Sequence, residues 1–346
     1  MEHLSNTPAL AEKVIDALTD TPWPSDDASR PMALLLRCPV AAQTPLVNAD
    51  TLAKRCNVVS IHIKDERGRM GLGSFKALGA AYVIAQDAEQ GKAKGQTYIT
   101  ASAGNHGLSV AAGAGAFGAT AIIYIAETVP ETFAERLRSI GATVRREGAV
   151  YEDSMAAAAH AAETGEAVLL SDSSWTDYYD RPHTLMEGYL VLMAETVQQI
   201  PTPPTHIFLQ AGVGGLATAC AAYARKIWGD APRIIVVEPD VAPALYASIR
   251  AGQSTVTDGP ASAMGRLDCK EPSLIALKGL ARDTNDFLLI SEDEGAHGSD
   301  VSADIGLAST PSGAAGLAAL VSASQSNVDL DLSANARVFA ILSEEA

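Results

Sequence analysis

This 346-residue sequence has no C-x-x-C pair, no surplus of basic residues and no uninterrupted apolar stretch of membrane-spanning length, and each absence removes a class of function. The four cysteines (Cys38, Cys56, Cys220 and Cys269) stand far apart. They show neither zinc-ligand spacing nor a disulfide framework, and they read as reduced thiols of a cytoplasmic protein, mostly buried as small hydrophobes. Lys and Arg number 25 against 41 Asp and Glu, a formal net charge of −16. That balance argues against nucleic acid or an anionic membrane surface as a partner, because both demand clustered cations. A small anionic ligand remains compatible, since a ring of backbone N–H groups holds one without basic side chains. The N-terminal MEHLSNTPALAEKVIDALTD is acidic and lacks a basic start followed by an apolar core, so no signal peptide is expected. With no apolar run of about 20 residues, no transmembrane helix is expected either. Internal repeats and low-complexity segments are missing too.

What is present is an ordinary globular composition, 47% hydrophobic and 19% charged, in a chain long enough for two lobes. Short apolar, β-branched runs recur: VVSIHI (58–63), TYIT (97–100), AIIYIA (121–126), AVLLS (167–171), HIFLQ (206–210), RIIVVE (233–238), DFLLIS (286–291) and RVFAIL (337–342). Helix-compatible stretches rich in Ala, Leu and Glu follow them. Several runs lack period-two alternation, as strands covered on both faces do. The class is therefore α/β, with mostly parallel sheets joined by right-handed crossovers. PTPPT (201–205) is the densest proline cluster and reads as a passage between lobes, or simply as the stop of the preceding helix. In such sheets ligands sit beyond the carboxyl ends of the strands, so the loops there are the place to seek chemistry.

Three loops stand out. In GLGSFKALGAAYVIAQ, Lys76 follows a Gly-x-Gly-Ser turn and opens a largely apolar helix, which makes it either a nucleophilic amine or a lysine snorkelling to water. In ITASAGNHGLSVAAG, an apolar strand ends in Ser102-Ala103-Gly104-Asn105-His106-Gly107 and enters an Ala/Gly-rich helix. Exposed amides at such a helix start suit a carboxylate or phosphate. Asn105 offers both a donor and an acceptor, and His106 is either a general base or a structural hydrogen-bonder. In FLQAGVGGLATACAAYA, a glycine turn (Gly212, Gly214, Gly215) between strand and helix cradles a phosphate. Gly212 to Ala217 also satisfies the dinucleotide pattern, and Glu238 ends a later strand where a ribose-binding acid belongs. An NAD(P)- or flavin-dependent oxidoreductase is thus a second reading.

Together the three loops resemble those of the fold type II, tryptophan-synthase-β-like, pyridoxal-phosphate enzymes. The resemblance runs from Thr44-Pro45-Leu46 to the C-terminus. It implies a two-lobed fold, with residues 1–75 and 190–346 forming a large cofactor-binding domain and 76–189 a small inserted domain carrying the SAGNHG loop. It implies that Ser74-Phe75-Lys76 carries the Schiff-base lysine and that Ser102 to His106 grip the substrate carboxylate. Asn105 would reach the cofactor's ring oxygen, and Gly212, Val213, Gly214, Gly215 and Leu216 would hold the phosphate. Ser343, ending the last strand, would sit beside the pyridine nitrogen.

RMGLGSFKALGAAY, SDSSWTDYYDRPHTLMEGY and VVEPDVAPALYASI, followed by CKEP, are similar to the diaminopropionate ammonia-lyase and threonine-dehydratase-like branch. The resemblance implies α,β-elimination from a small amino acid (2,3-diaminopropionate, serine, threonine or a hydroxyaspartate), giving a 2-oxo acid and ammonia. Asp172 would be catalytic, though SDSSW also fits simple capping. Three positions depart from the branch. Ala103 stands where a second aspartate, linked in the branch to handling the D-isomer or the amine leaving group, precedes the G-N-H-G turn, which speaks against diaminopropionate activity, particularly on a D-substrate. Thr310-Pro311-Ser312-Gly313-Ala314 lacks the usual glutamate, and Glu344-Glu345-Ala346 replaces a glycine-rich sequel. The acidic SEDEGAHGSD (291–300) reads as a solvated helix start, and no metal is expected. A homodimer is the usual state of the group.

Overall fold

The computed structural model describes residues 1–165 and 167–346. Eleven strands are found among them: β1 (Glu2–Ser5), β2 (Leu46–Asn48), β3 (Ser60–Asp65), β4 (Thr97–Ala101), β5 (Thr120–Ile125), β6 (Thr143–Arg146), β7 (Ala167–Leu169), β8 (His206–Gln210), β9 (Arg233–Pro239), β10 (Asp286–Ile290) and β11 (Arg337–Leu342). They form two sheets. The larger has the order β1-β10-β9-β8-β11-β3-β2, and the smaller β6-β5-β4-β7. The inner pairs of the large sheet are parallel, and antiparallel pairing is confined to the edge strands β1 and β2. All three pairs of the small sheet are parallel. The fold is the expected α/β class.

Each of the eight apolar runs contains a strand, and the reason shows in the packing. All five residues of β8 are buried. Ile207 and Leu209 enter one hydrophobic core, and Phe208 enters the other. A central strand with a core on each face needs apolar residues at every position, which erases the alternation. The run at 58–63 is displaced: β3 begins at Ser60, because the amide of Val58 donates to Ala53 O and turns the chain off the helix Asp50–Arg55. The three strands that the sequence does not announce, β1, β2 and β6, are short edge strands with few fully buried side chains. PTPPT leads out of the 20-residue helix Asp180–Gln199 into β8. SEDEGAHGSD opens the helix Glu292–Asp304, where Ser291 and Glu294 form a reciprocal cap. Among the described residues no helix is long and apolar enough to cross a membrane.

One buried ionic cluster ties the segment before Lys76 to the helix Asp180–Gln199. Arg69 grips Glu195 through Nη1 (2.9 Å) and Nη2 (2.7 Å), and Glu66 through Nε (2.7 Å). Lys64 donates to Glu195 (2.8 Å) and to Thr44 O (2.8 Å), while the Thr44 hydroxyl donates to Glu66 (2.5 Å). The Thr-Pro-Leu motif near the start of the chain is thus structural at its threonine. Glu195 feels burial raising its carboxyl, but Arg69 and Lys64 outweigh that and hold it below the usual carboxylate range.

Candidate active site

The loops that carry the candidate residues follow strands β4, β7, β8 and β11 at their carboxyl ends. Lys76 comes instead from the turn that follows β3. Gly73 adopts φ +80°, a conformation that favours glycine, and the chain then enters the helix Lys76–Glu89. The end of β11 runs alongside this turn: Phe75 N donates to Ser343 O (3.1 Å), and Glu345 N donates to Gly73 O (2.9 Å). The Phe75 ring meets Tyr189 edge-on at 4.9 Å. The lysine is therefore held at its root by β11 and by the helix Asp180–Gln199.

The Lys76 ammonium lies directly on Asp172, which follows β7, and 5.7 Å from the Phe75 ring centroid. Burial raises the Asp172 carboxyl, but Lys76 and His106 more than reverse this and hold it well below the usual carboxylate range. Its loop is stiffened from beneath. Tyr178 donates to Leu169 O (2.8 Å) and accepts from Ser171 N (3.1 Å), and its ring stacks on Trp175 at 4.3 Å.

The turn from Ser102 to Gly107 closes on itself, with Gly104 N donating to Ser102 Oγ (3.2 Å). The helix Asn105–Ala116 then starts with no side chain capping it, so its first amides face the cleft free of such a partner. His106 is buried, donates through Nε2 to Leu170 O (2.8 Å), and its Nδ1 has no partner among the described residues. Burial lowers its pKa, Asp172 opposes that, and Lys76 adds to it. Of the two readings left open for His106, the bond to a backbone carbonyl favours the structural one.

Asn105 donates its side-chain amide to Glu344 Oε2, and the Thr310 hydroxyl donates to Glu344 Oε1. Ser309 Oγ donates to the backbone oxygen of Glu344 (2.6 Å), and Ser343 N donates to Gly313 O (3.2 Å). Glu344 is buried. The glutamate missing from the 310–314 loop is thus supplied, across the same hydroxyl, by the residue after Ser343. Sequence reading missed it, and the available signal was an acid placed immediately behind an apolar buried strand.

Gly214 takes φ +98° and caps the helix Gly215–Trp228 without a side-chain hydrogen bond. Gly212 packs on Cys269, whose thiol burial pushes up to about 12. Cys269 also feels the charges of Asp172 and Lys76, which places the glycine loop and the lysine on one cleft. The Gly214 cap leaves main-chain donors for a phosphate. Lys76 offers an amine, Asn105 an amide and Ser343 a buried hydroxyl, so these residues fit pyridoxal phosphate. They do not fit the dinucleotide reading. Glu238 is buried and receives the amides of Leu245 (2.8 Å) and Tyr246 (2.7 Å), and burial pushes its carboxyl up to about 8. An acid engaged in capping the next helix is not presented to a ribose.

Residues 38–344 match the family described as pyridoxal-phosphate dependent enzyme. The diaminopropionate ammonia-lyase of Salmonella typhimurium is 35% identical over 300 residues, 79% of this chain and 74% of that one. The biosynthetic chloroplastic threonine dehydratase of Arabidopsis thaliana is 32% identical over 219 residues, 63% of this chain and 35% of that one. The crystal structure of diaminopropionate ammonia lyase from Escherichia coli in complex with an aminoacrylate-PLP azomethine reaction intermediate shares the fold with a TM-score of 0.86. It is 27% identical, and the match covers 99% of this chain and 93% of that one.

Proposed function

The chain belongs to the pyridoxal-phosphate dependent enzymes, and from that premise we propose that Lys76 and Asp172 act as a proton-handling pair in its elimination reaction. It is a pyridoxal-phosphate-dependent lyase acting on an amino acid; nothing supports an oxidoreductase. The observation that carries the proposal is the Lys76 ammonium seated on Asp172 in the cleft shared with the glycine loop.

When bound, the cofactor supplies a conjugated ring that takes up the electron pair left on Cα. The chain's own residues do the rest. Lys76 is the attachment point, and its amine, once freed, stands ready to take the Cα proton. The amides of the 102–107 turn bind the substrate carboxylate and fix the direction of the Cα–H bond. Asn105, Ser343 and the amides of Gly212 to Leu216 hold the ring and phosphate. Asp172 lies directly on the Lys76 amine, so the proton that Lys76 takes has a path by way of Asp172 to the departing β-group. The sum is a β-substituted amino acid and one water converted to a 2-oxo acid and ammonia, with the β-group released together with a proton.

The division into a large lobe (1–75 and 190–346) and a small one (76–189) belongs to the same proposal. It is supported by the membership of β4 to β7 in a separate sheet. A homodimer and a cytoplasmic location complete it.

The test is a coupled assay for ammonia and 2-oxo acid from serine, threonine, 2,3-diaminopropionate and 3-hydroxyaspartate. Wild type should release 2-oxo acid and ammonia from at least one substrate, one ammonia per 2-oxo acid from a hydroxy amino acid and two from 2,3-diaminopropionate, and K76A should release neither. A K76A protein with near wild-type turnover would overturn the assignment.

A further inference from the structure

Resting on that elimination reading, we propose that Arg266 selects a substrate bearing a second carboxylate, an acidic β-hydroxy amino acid of the 3-hydroxyaspartate type.

Arg266 belongs to the long connection between the helices Ala244–Ala251 and Leu274–Asp283. Its backbone is fixed among the cofactor-site loops: its amide donates to Ser312 Oγ (3.1 Å), and its carbonyl lies against Gly212. From there the side chain crosses to the opposite lip of the cleft. The guanidinium stands over the Phe133 ring at 5.7 Å and packs on Gly104, so closely that a Cβ at that glycine would come within 2.9 Å of Nη1. It therefore rests at the uncapped start of the helix Asn105–Ala116, in the turn that binds the α-carboxylate.

Among the described residues its one ion pair is with Glu344, 3.6 Å from Nε, and both oxygens of that carboxylate also accept from Asn105 and Thr310. Among the described residues neither terminal nitrogen of Arg266 makes a hydrogen bond, and the side chain is 36% exposed. The residue preceding Gly104 is Ala103, so no acid on the turn answers it.

The cleft thus offers two anion sites, the helix amides and a guanidinium fork whose geometry matches a carboxylate. A monocarboxylic substrate fills one. A β-ammonium group, as in diaminopropionate, would face a like charge, whereas a β-carboxylate would meet the fork. In the reaction, 3-hydroxyaspartate loses its Cα proton and its β-hydroxyl as water, and regains water when the C–N bond is hydrolysed. The products are 2-oxosuccinate and ammonia, with no oxidant or reductant required.

The experiment uses wild-type holoenzyme and R266Q. Wild type should show a higher kcat/KM for 3-hydroxyaspartate than for serine or 2,3-diaminopropionate. The R266Q loss should exceed the serine loss by about tenfold or more, roughly what a charged hydrogen bond is worth. L-Aspartate, which has no β leaving group, should perturb the cofactor absorbance of wild type at concentrations about tenfold lower than for R266Q, with L-alanine showing no such gap. Equal losses for serine and 3-hydroxyaspartate would assign Arg266 to the α-carboxylate and overturn the inference. So would a wild-type preference for diaminopropionate. Aspartate discrimination without ammonia release from any substrate would overturn the elimination reading while sparing the guanidinium site.

Discussion

At the residue scale the chemistry concentrates on one ion pair. Lys76 and His106 lower the Asp172 carboxyl against its own burial, and the carboxylate lies directly on the lysine. Replacing it by Asn keeps the shape and removes the charge. D172N should retain the cofactor and lose about 10²- to 10⁴-fold in kcat, the usual range for a positioned proton-transfer group. Steady-state kinetics beside an absorbance spectrum check this, and kcat within threefold of wild type would contradict it. The motifs around Lys76, Asn105 and the glycine loop stand out in the sequence because each is a short run at the junction of strand or turn with helix. Glu344 and Arg266 were not. Glu344 looked like a departure from a family pattern, and its role is visible only where the 310–314 loop meets the chain end. Arg266 lies in a connection without a motif, and its neighbours Phe133 and Gly104 come from distant parts of the sequence.

At the element scale the decisive feature is a helix start without a side-chain cap. Gly214, at φ +98°, precedes the helix Gly215–Trp228 and leaves its start without a side-chain cap. A Cβ there would be strained by the backbone and would also press on Ala276 at 3.0 Å. G214A should lose about 1–2 kcal/mol of stability, the cost of a left-handed conformation for an L-residue. It should also bind pyridoxal phosphate several-fold more weakly. Denaturant unfolding and cofactor titration measure the two effects, and a variant unchanged in both would remove the loop from the phosphate site. β1, β2 and β6, short edge strands without a fully buried residue, carry little apolar periodicity and escaped, whereas the equally short edge strand β7 is announced by its apolar run AVLLS.

Across the whole molecule, the cluster of Lys64, Glu66, Arg69 and Glu195 joins the N-terminal part of the large sheet to the helix against which Lys76 is anchored. E195A would leave two buried cations without their shared partner and should cost about 3–5 kcal/mol. The pH dependence has a definite sign. The folded-state carboxyl of Glu195 lies below its ordinary value of 4.5, so its contribution is complete above that value and is lost as pH falls through the folded one. Thermal melting from pH 7 to pH 3 should show wild type losing stability more steeply than E195A below about pH 4.5. Parallel curves would show that the cluster does not carry this load. No motif announces the cluster, because its members are spread from Thr44 to Glu195 and only the fold assembles them.

The central claim, that Lys76 carries the cofactor, is tested most directly by the near-visible absorbance of the purified protein before and after borohydride, with mass spectrometry of its peptides. The account predicts a band that disappears on reduction and a pyridoxyl mass on the peptide containing Lys76. A colourless protein supplied with pyridoxal phosphate, or a pyridoxyl group fixed to another lysine, would contradict it.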